Sequence, residues 1–392
     1  MLFQVLDTKT KCKNLYTDNK IIQKIPKNLT GTWDFSHGLP TSVEYARLYC
    51  GGSTMEGVCP EHLKEGWESS SRKLKAYLNS FIQAKISLEE HCFYDLVPQC
   101  FLLEFYEIKN QITKHVLENY KKPENYDFLL QLSKVTEDIK KRPLNLKMSK
   151  ISHLSHQLAT RNFIRRLKRT KKNIQYNIFG TKTGRLTTDP KSFPILTLKK
   201  EYRRILEPNN DLYIELDFNA AELRTLLSLV GKEQPREDIH EWNAKNVFRG
   251  LQSRSEAKER IFAWLYNPDS KDYLANRAYD RTSVKEKYWD GKMVTTPYGR
   301  QIEADEFHAL NYLIQSTTAD MVLRQLIKVH NLLADSRSYV AFSLHDSLII
   351  DFAKEDKDIL NKVFDVFSKT DLGDFAISIS AGKNFGDMKK VK

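Results

Sequence analysis

The chain has 392 residues and 45.8 kDa, enough for two or three lobes with cores of their own. Its 41% hydrophobic and 29% charged residues suit a soluble, cytoplasmic globular protein; no apolar run reaches membrane-spanning length and the first fifteen residues lack signal-peptide character, so no membrane partner is expected. A net charge of +12 predicts a partner rich in phosphate.

Residues 1–83 say least. VLDTKTKCKNLYTD (5–18) and GTWDF (31–35) hint at short strands, and YCGGSTMEGVCPEH (49–62) reads as a turn-rich loop from its glycines and proline. All five cysteines (Cys12, Cys50, Cys59, Cys92, Cys100) fall in the first hundred residues, form no CxxC pair and are odd in number, so they read as reduced thiols. Cys50, Cys59 and His62 make an incomplete zinc set with no evident fourth ligand.

From Ile86 to Lys172 the pattern is helical. Phe105, Ile108, Ile112 and Val116 recur at three- and four-residue steps in a run ending before Pro123, and YDFLLQLSKVTEDIKK stops before Pro143. A further helix is expected to run into RNFIRRLKRTKK, where seven of twelve residues are basic and none acidic. Arg161, Arg165, Lys168, Arg169 and Lys172 would share one face. A solvated charge run is the plain alternative, but acidic residues normally intersperse such a face; the run reads as tracking a duplex backbone.

DLYIELDFNAAELR (211–224) alternates Leu212, Ile214 and Leu216 with polar or amphipathic residues, a half-buried strand, and then shifts to helical spacing after Asp217. A carboxylate at a strand end points into a cleft from a rigid base; the same residues also fit a strand-to-helix junction with Asp217 as the helix cap. RSEAKERIFAWLYN (254–267) places Arg254, Lys258, Phe262 and Tyr266 four apart, one stripe about 18 Å long on a helix. Cations at its start suit phosphates, and aromatics at its end suit a sugar and a stacked base; an amphipathic helix with buried aromatics is the alternative. Asn311 and Gln315, four apart on a long helix, offer amides to a groove or form a simple surface pair. YVAFSLHDSLIIDF (339–352) reads as a β-hairpin with His345-Asp346-Ser347 at its tip. Two strand-end aspartates brought together hold two divalent cations about 4 Å apart, a device for phosphoryl transfer.

These stretches, in this order, resemble the polymerase portion of a family A DNA polymerase, the class of bacterial DNA polymerase I and many bacteriophage enzymes. LDFNAAELR resembles the first catalytic motif, and the fingers-helix pattern Arg-x3-Lys-x3-Phe-x3-Tyr is matched at all four positions. LHDS resembles the His-Asp-Glu motif, GTKTGRLTT (180–188) the Thr-Gly-Arg-Leu signature, NYLIQSTTAD (311–320) the Asn-x3-Gln and Ala-Asp segment, and AGKNFGD the closing Gly-x-Asn-Trp segment. The similarity runs from about residue 176 to the end. It departs from the family at Ser347, in place of glutamate, at Asn267, in place of glycine, at Phe307, in place of arginine, and in LTTDPKSFPIL, which lacks the usual Asn/Gln residues before the proline.

The resemblance implies an α+β right hand: a small N-terminal segment (1–83), a helical thumb (84–175), a ferredoxin-like antiparallel palm (176–235 and 305–392) and helical fingers (236–304). Asp217 and Asp346 would bind two Mg2+, with Mn2+ as substitute. Arg254, Lys258 and His240 would meet the dNTP phosphates, with Lys258 as general acid to pyrophosphate. Phe262 would pack on the sugar, and Tyr266 with Glu222 would exclude a 2′-hydroxyl. Arg185 would reach the minor groove of the primer-template, Asn311 and Gln315 the template, and His345 the primer-terminal phosphate; Arg161, Arg165, Lys168, Arg169 and Lys172 would hold the duplex. Residues 1–83 are too short for a proofreading exonuclease and show no Asp-x-Glu pair, so proofreading is expected to be absent or supplied by a separate exonuclease docking there, where a processivity protein would also fit. A viral or mobile-element replicase fits this reading. Alternatives are a single-subunit RNA polymerase relative, opposed by Glu222 and the lack of a promoter-recognition domain, and a non-catalytic, clamp-like DNA-binding protein with a degenerate palm.

Overall fold

The computed structural model of the chain describes residues 15–391 apart from 34–38, 40, 41, 46, 87, 89, 90 and 268. The chain forms two compact units, one ending at Lys134 and the other starting at Val135.

In the first unit, Asp18 and Asn19 take positive φ (45° and 59°), the backbone that closes a two-residue hairpin between Leu15–Thr17 and Lys20–Ile22. The rest of the expected strand over 5–18, and Cys12, lie outside the described residues. Two long helices follow, α1 (Glu61–Gln83) after Pro60 and α2 (Gln99–Asn119) after Pro98. Proline suits such starts because the first helical turn leaves N–H groups unpaired anyway. Trp67 and Phe81 of α1 share one core with Phe101, Phe105, Ile112 and Val116 of α2 and with Tyr16 and Trp33, and Trp67 stacks on Phe105 at 5.3 Å. The expected division at residue 83 therefore falls inside a single core. Cys50 and Cys59 are buried in it as free thiols; among the described residues no group of three metal-ligating side chains occurs, so the Cys50, Cys59 and His62 set is not assembled. Helix α3 (Tyr126–Lys141) crosses the unit boundary.

In the second unit, α4 (Leu158–Leu167) is followed by β1 (Leu212–Phe218), β2 (Tyr339–Leu344), β3 (Ser347–Phe352), β4 (Ile377–Gly382) and the short β5 (Lys389–Lys390). They form one antiparallel sheet in the order β2-β3-β1-β4-β5. Its first four strands, with the helices between them, have the βαββαβ arrangement of a ferredoxin-like layer. The alternation in β1 sends Ile214, Leu216 and Phe218 to the packed face, where Phe218 stacks at 4.2 Å on Phe367 of α8 (Leu360–Ser368), whereas Tyr213, Glu215 and Asp217 share the other face. A second cluster gathers α5 (Ala221–Val230), α6 (Arg254–Tyr266), the first turns of α7 (Glu306–Leu332), helices Tyr273–Tyr279 and Arg281–Tyr288, and the hairpin Met293–Thr295/Gln301–Glu303. The chain is α+β, and no helix among the described residues is long and apolar enough to cross a membrane.

Candidate active site

Asp217 ends the open face of β1, and Asp346 follows His345 in the tight turn from β2 to β3. His345 takes φ 55°, the left-handed backbone this turn requires. The register sets Asp217 opposite Ser347, and the Phe218 N–H donates to the Asp346 carbonyl at 3.5 Å. The two aspartates thus meet at one end of neighbouring strands. Helix α5 begins after Ala220, which is its cap residue, so the alternative role of Asp217 as helix cap is not realised.

No side chain or backbone donor among the described residues hydrogen-bonds either carboxylate. Burial raises Asp217 to about 7, and the charges of Glu215 and then Asp346 add to the shift although the tip of Asp217 opens to solvent. Burial also pushes Asp346 up, against the pull of Arg185 and His345. Glu222, in the first turn of α5, is buried and accepts hydrogen bonds from both Arg185 and the Tyr266 hydroxyl. Burial takes it to about 7; Arg185 opposes the shift and Asp346 adds to it. Asp217, Asp346, Glu222, Arg185 and Tyr266 therefore belong to one electrostatic cluster.

Helix α6 starts on a capping box, Ser253 and Glu256 bonding each other's backbone N–H. Ala257, Ile261, Trp264 and Leu265 turn to the core, which leaves Arg254 and Lys258 exposed and Phe262 only partly buried. Tyr266, 43% exposed, stacks on Phe262 at 5.8 Å with an interplanar angle of 6°. The alternative of two buried aromatics is not what forms. Arg254 makes a two-point ion pair with Asp238 (2.8 and 3.2 Å). Burial pushes Asp238 up, but the Arg254 hydrogen bond, the Glu241 N–H and Asn219 outweigh it and hold the carboxyl well below its ordinary range. Sequence reasoning missed Asp238, yet its place before IHEW is a helix-cap signal, and it does cap that turn. His240 is buried, not on the helix surface, with its ring 5.6 Å from Phe262; burial lowers it to about 4, Asp238 opposing and Arg254 and Lys258 assisting, so it is neutral at pH 7.

Several residues in and around the motifs brace this floor. Tyr176 donates to the Ser343 carbonyl at 2.6 Å and accepts from its N–H at 3.1 Å, tying the segment that leads to Arg185 onto β2. Gly184 has φ 77°, and a Cβ there would stand 2.5 Å from the Arg300 guanidinium, which is itself held by buried Asp320 (2.6 and 3.1 Å). Arg224 is wholly buried and donates to the carbonyls of Asn219, Pro235 and Glu237 at 2.7–2.8 Å, fixing the junction from β1 to α5.

On α7, Gln315 donates to Asn311 at 2.6 Å, and Phe307, two turns before Gln315, is exposed. The basic run differs from expectation: α4 ends at Leu167, whose carbonyl accepts from the Thr170 hydroxyl at 3.2 Å. Arg161 and Arg165 are helical, whereas Lys168, Arg169 and Lys172 lie in the following turn and loop, so the five do not share a helix face; all five are exposed. Consecutive like charges with no acidic partner oppose continuation of the helix.

No family model matches the chain. A curated relative, DNA polymerase I of Caldicellulosiruptor bescii, is 23% identical in an alignment of 239 residues, with 47% of this chain and 28% of that protein covered. The aligned part thus spans under a third of the relative. A solved structure, the POL domain of Pol1 from M. smegmatis in complex with DNA primer-template and dNTP, superimposes with a TM-score of 0.53 at 11% identity, over 74% of this chain and 76% of that one. The chain is thus similar in part of its sequence to a DNA polymerase I and in its fold to a solved polymerase domain. The likeness to the solved domain concerns the fold. Within this family reading, the motif residues Asp217, Glu222, Tyr266 and Asp346 are those that the structure gathers at one end of the sheet.

Proposed function

We propose that the chain is a template-directed DNA polymerase that extends a primer 3′ end with dNTPs. One observation carries this: Asp217, at the end of β1, and Asp346, in the adjoining β2–β3 turn, repel each other's charge and have no protein donors among the described residues, beside a Glu222 that is joined to Arg185 and Tyr266. Two crowded, unneutralised carboxylates suit Mg2+ or Mn2+, hard cations that take carboxylate oxygen and retain water, so a two-carboxylate set fits. Such ions, when bound, stabilise the attacking and departing oxygens of nucleotidyl transfer.

The chain's own residues do the rest. Arg254 and Lys258 stand at the exposed start of the stripe, where a triphosphate would exchange the Arg254–Asp238 pair for charge-assisted bonds of its own. Lys258 is exposed and placed to give its proton to pyrophosphate. Phe262, backed by neutral His240, packs on the sugar, and the Glu222–Tyr266 contact closes the space a 2′-hydroxyl would need. His240 thus serves the phosphates as an aromatic support and not as a cation. Arg185, Asn311, Gln315 and His345 line the primer-template, and the exposed Arg161–Lys172 run holds duplex phosphates from a thumb. In this reading residues 176–235 with 305–392 are the palm and 236–304 the fingers. Residues 1–83 are where a separate exonuclease or processivity protein would dock in a viral or mobile-element replication system.

Primer extension with wild type and Asp346→Ala tests the reading, with dNTPs and rNTPs in parallel. Loss of dNTP incorporation in the variant is expected. Equal extension by both would overturn it, whereas rNTP preference in the wild type would favour the RNA polymerase alternative.

A further inference from the structure

On β1, Glu215 lies two residues before Asp217 and so on the same face of the sheet. The register surrounds it with short or apolar neighbours: Ile349 directly opposite on β3, Ser380 opposite on β4, and Ser347 and Ser378, which flank Asp217, on the diagonals. The Ser347 side chain lies beside the Glu215 carboxylate, while its hydroxyl proton goes to the Leu344 carbonyl at 2.9 Å. Ser347 is the position where the family resemblance leads one to expect a glutamate. The charge of Arg203 acts on Glu215, but its guanidinium sits over the Phe385 ring at 4.7 Å and no ion pair between the two occurs among the described residues.

A carboxylate half-buried without an ion-pair partner is costly, and it persists where it has a charge to serve. Of its cross-strand neighbours, Ser380, Ser347 and Ser378 are short and uncharged, so none neutralises it. No three-ligand set exists among the described residues, so Glu215 does not complete a direct coordination shell. What it supplies is a negative charge on the same strand face as Asp217.

We propose that Glu215 is the third carboxylate of this site, carried on β1 in place of the one the resemblance expects at position 347 on β3, and that it strengthens divalent-cation binding through the cation's water shell. The proposal rests on the polymerase reading. Glu215 is a positioning residue, acting on the cation and on Asp217, and the side chain at 347 is short because the neighbouring strand already provides the charge.

The experiment is a Mn2+ titration of the full chain, read by the loss of the free-ion electron paramagnetic resonance signal, on wild type, Glu215→Gln, Ser347→Glu, the double variant, and Asp217→Asn as control. One charge removed at water-shell distance weakens Mn2+ binding about three- to tenfold. Glu215→Gln should show this, together with a raised Mg2+ requirement in primer extension. Ser347→Glu in the Glu215→Gln background should restore the affinity, which a merely structural role for Glu215 would not permit. Should Glu215→Gln bind Mn2+ as wild type does while Asp217→Asn does not, the role of Glu215 is overturned and the polymerase reading stands. Should Asp217→Asn also bind Mn2+ and extend primers normally, the polymerase reading fails and this proposal with it. If Glu215→Gln melts early, Glu215→Asp decides, since it keeps the charge but draws it back on a shorter side chain: weaker Mn2+ binding supports the proposal and unchanged binding overturns it.

Discussion

The two ends of the open face between β1 and β3 carry the same residue type in opposite condition. At one end, Asp351 is 1% exposed and accepts from the Asn209 and Asn210 N–H groups at 2.7 and 2.8 Å and from the Tyr339 hydroxyl at 2.9 Å. At the other, Asp217 and Asp346 have no protein donors among the described residues and crowd each other. A buried carboxylate whose lone pairs are filled by the chain is part of the scaffold. Carboxylates brought together and left unfilled destabilise the protein alone, and are retained where something outside the chain completes them. The sheet thus separates holding the fold from doing chemistry along the length of one strand pair.

The sharpest test removes each kind in turn. Asp346→Ala should lower primer extension by on the order of 10²–10³-fold or more while leaving the metal-free melting temperature unchanged or higher, since like-charge crowding is relieved; parallel activity and melting measurements check this. Asp351→Ala should do the reverse. It strands two backbone N–H groups, costs about 2–4 kcal/mol by denaturant unfolding, and leaves the activity per folded molecule near wild type.

Smaller effects belong to the walls. Glu222→Ala opens the contact with Tyr266 and should raise ribonucleotide incorporation about tenfold or more relative to dNTP, measured as a ratio of kcat/KM values. The pH dependence follows from the raised carboxyls. Asp217 and Glu222 bind protons in the folded chain up to about 7, but release them near their ordinary values when unfolded. Between those values the folded state holds more protons, so metal-free stability should fall as pH rises through that window. Melting scans in chelator between pH 4.5 and 7.5 should show the decline, with Asp217→Asn flattening it and added Mg2+ reversing it. Smallest is the basic run: Arg165→Gln should reduce the salt slope of duplex binding by about one, with little change in sequence preference.

What the sequence disclosed was local. Alternation at Leu212, Ile214 and Leu216 located β1, the apolar runs around His345-Asp346 located the hairpin, and four-residue spacing located the stripe on α6, since each depends only on near neighbours along the chain. Helix α1 escaped notice because its buried residues are few, Trp67, Ser70 and Phe81 in 23 residues rich in charge, so its apolar face is sparse and is completed by α2. The end of α4 at Leu167 turns on charge crowding that a face count ignores. Nothing in EDIHEWNAKNVF announces that His240 is buried with its ring beside Phe262. Asp238 and Glu215 were legible in part, one from its cap position and the other from sharing parity with Asp217. Their partners Arg254 and Ser347 come from distant parts of the chain.

The missing side chain at Gly184 has a consequence of its own. The room it leaves is occupied by Arg300, anchored in turn by Asp320, so the aim of the loop bearing Arg185 is set by residues more than a hundred positions away. Drift at position 184 is therefore tied to drift at 300 and 320. Any lineage that acquired a methyl group there would have to re-route the Arg300 side chain before the neighbouring Arg185 could find Glu222 again.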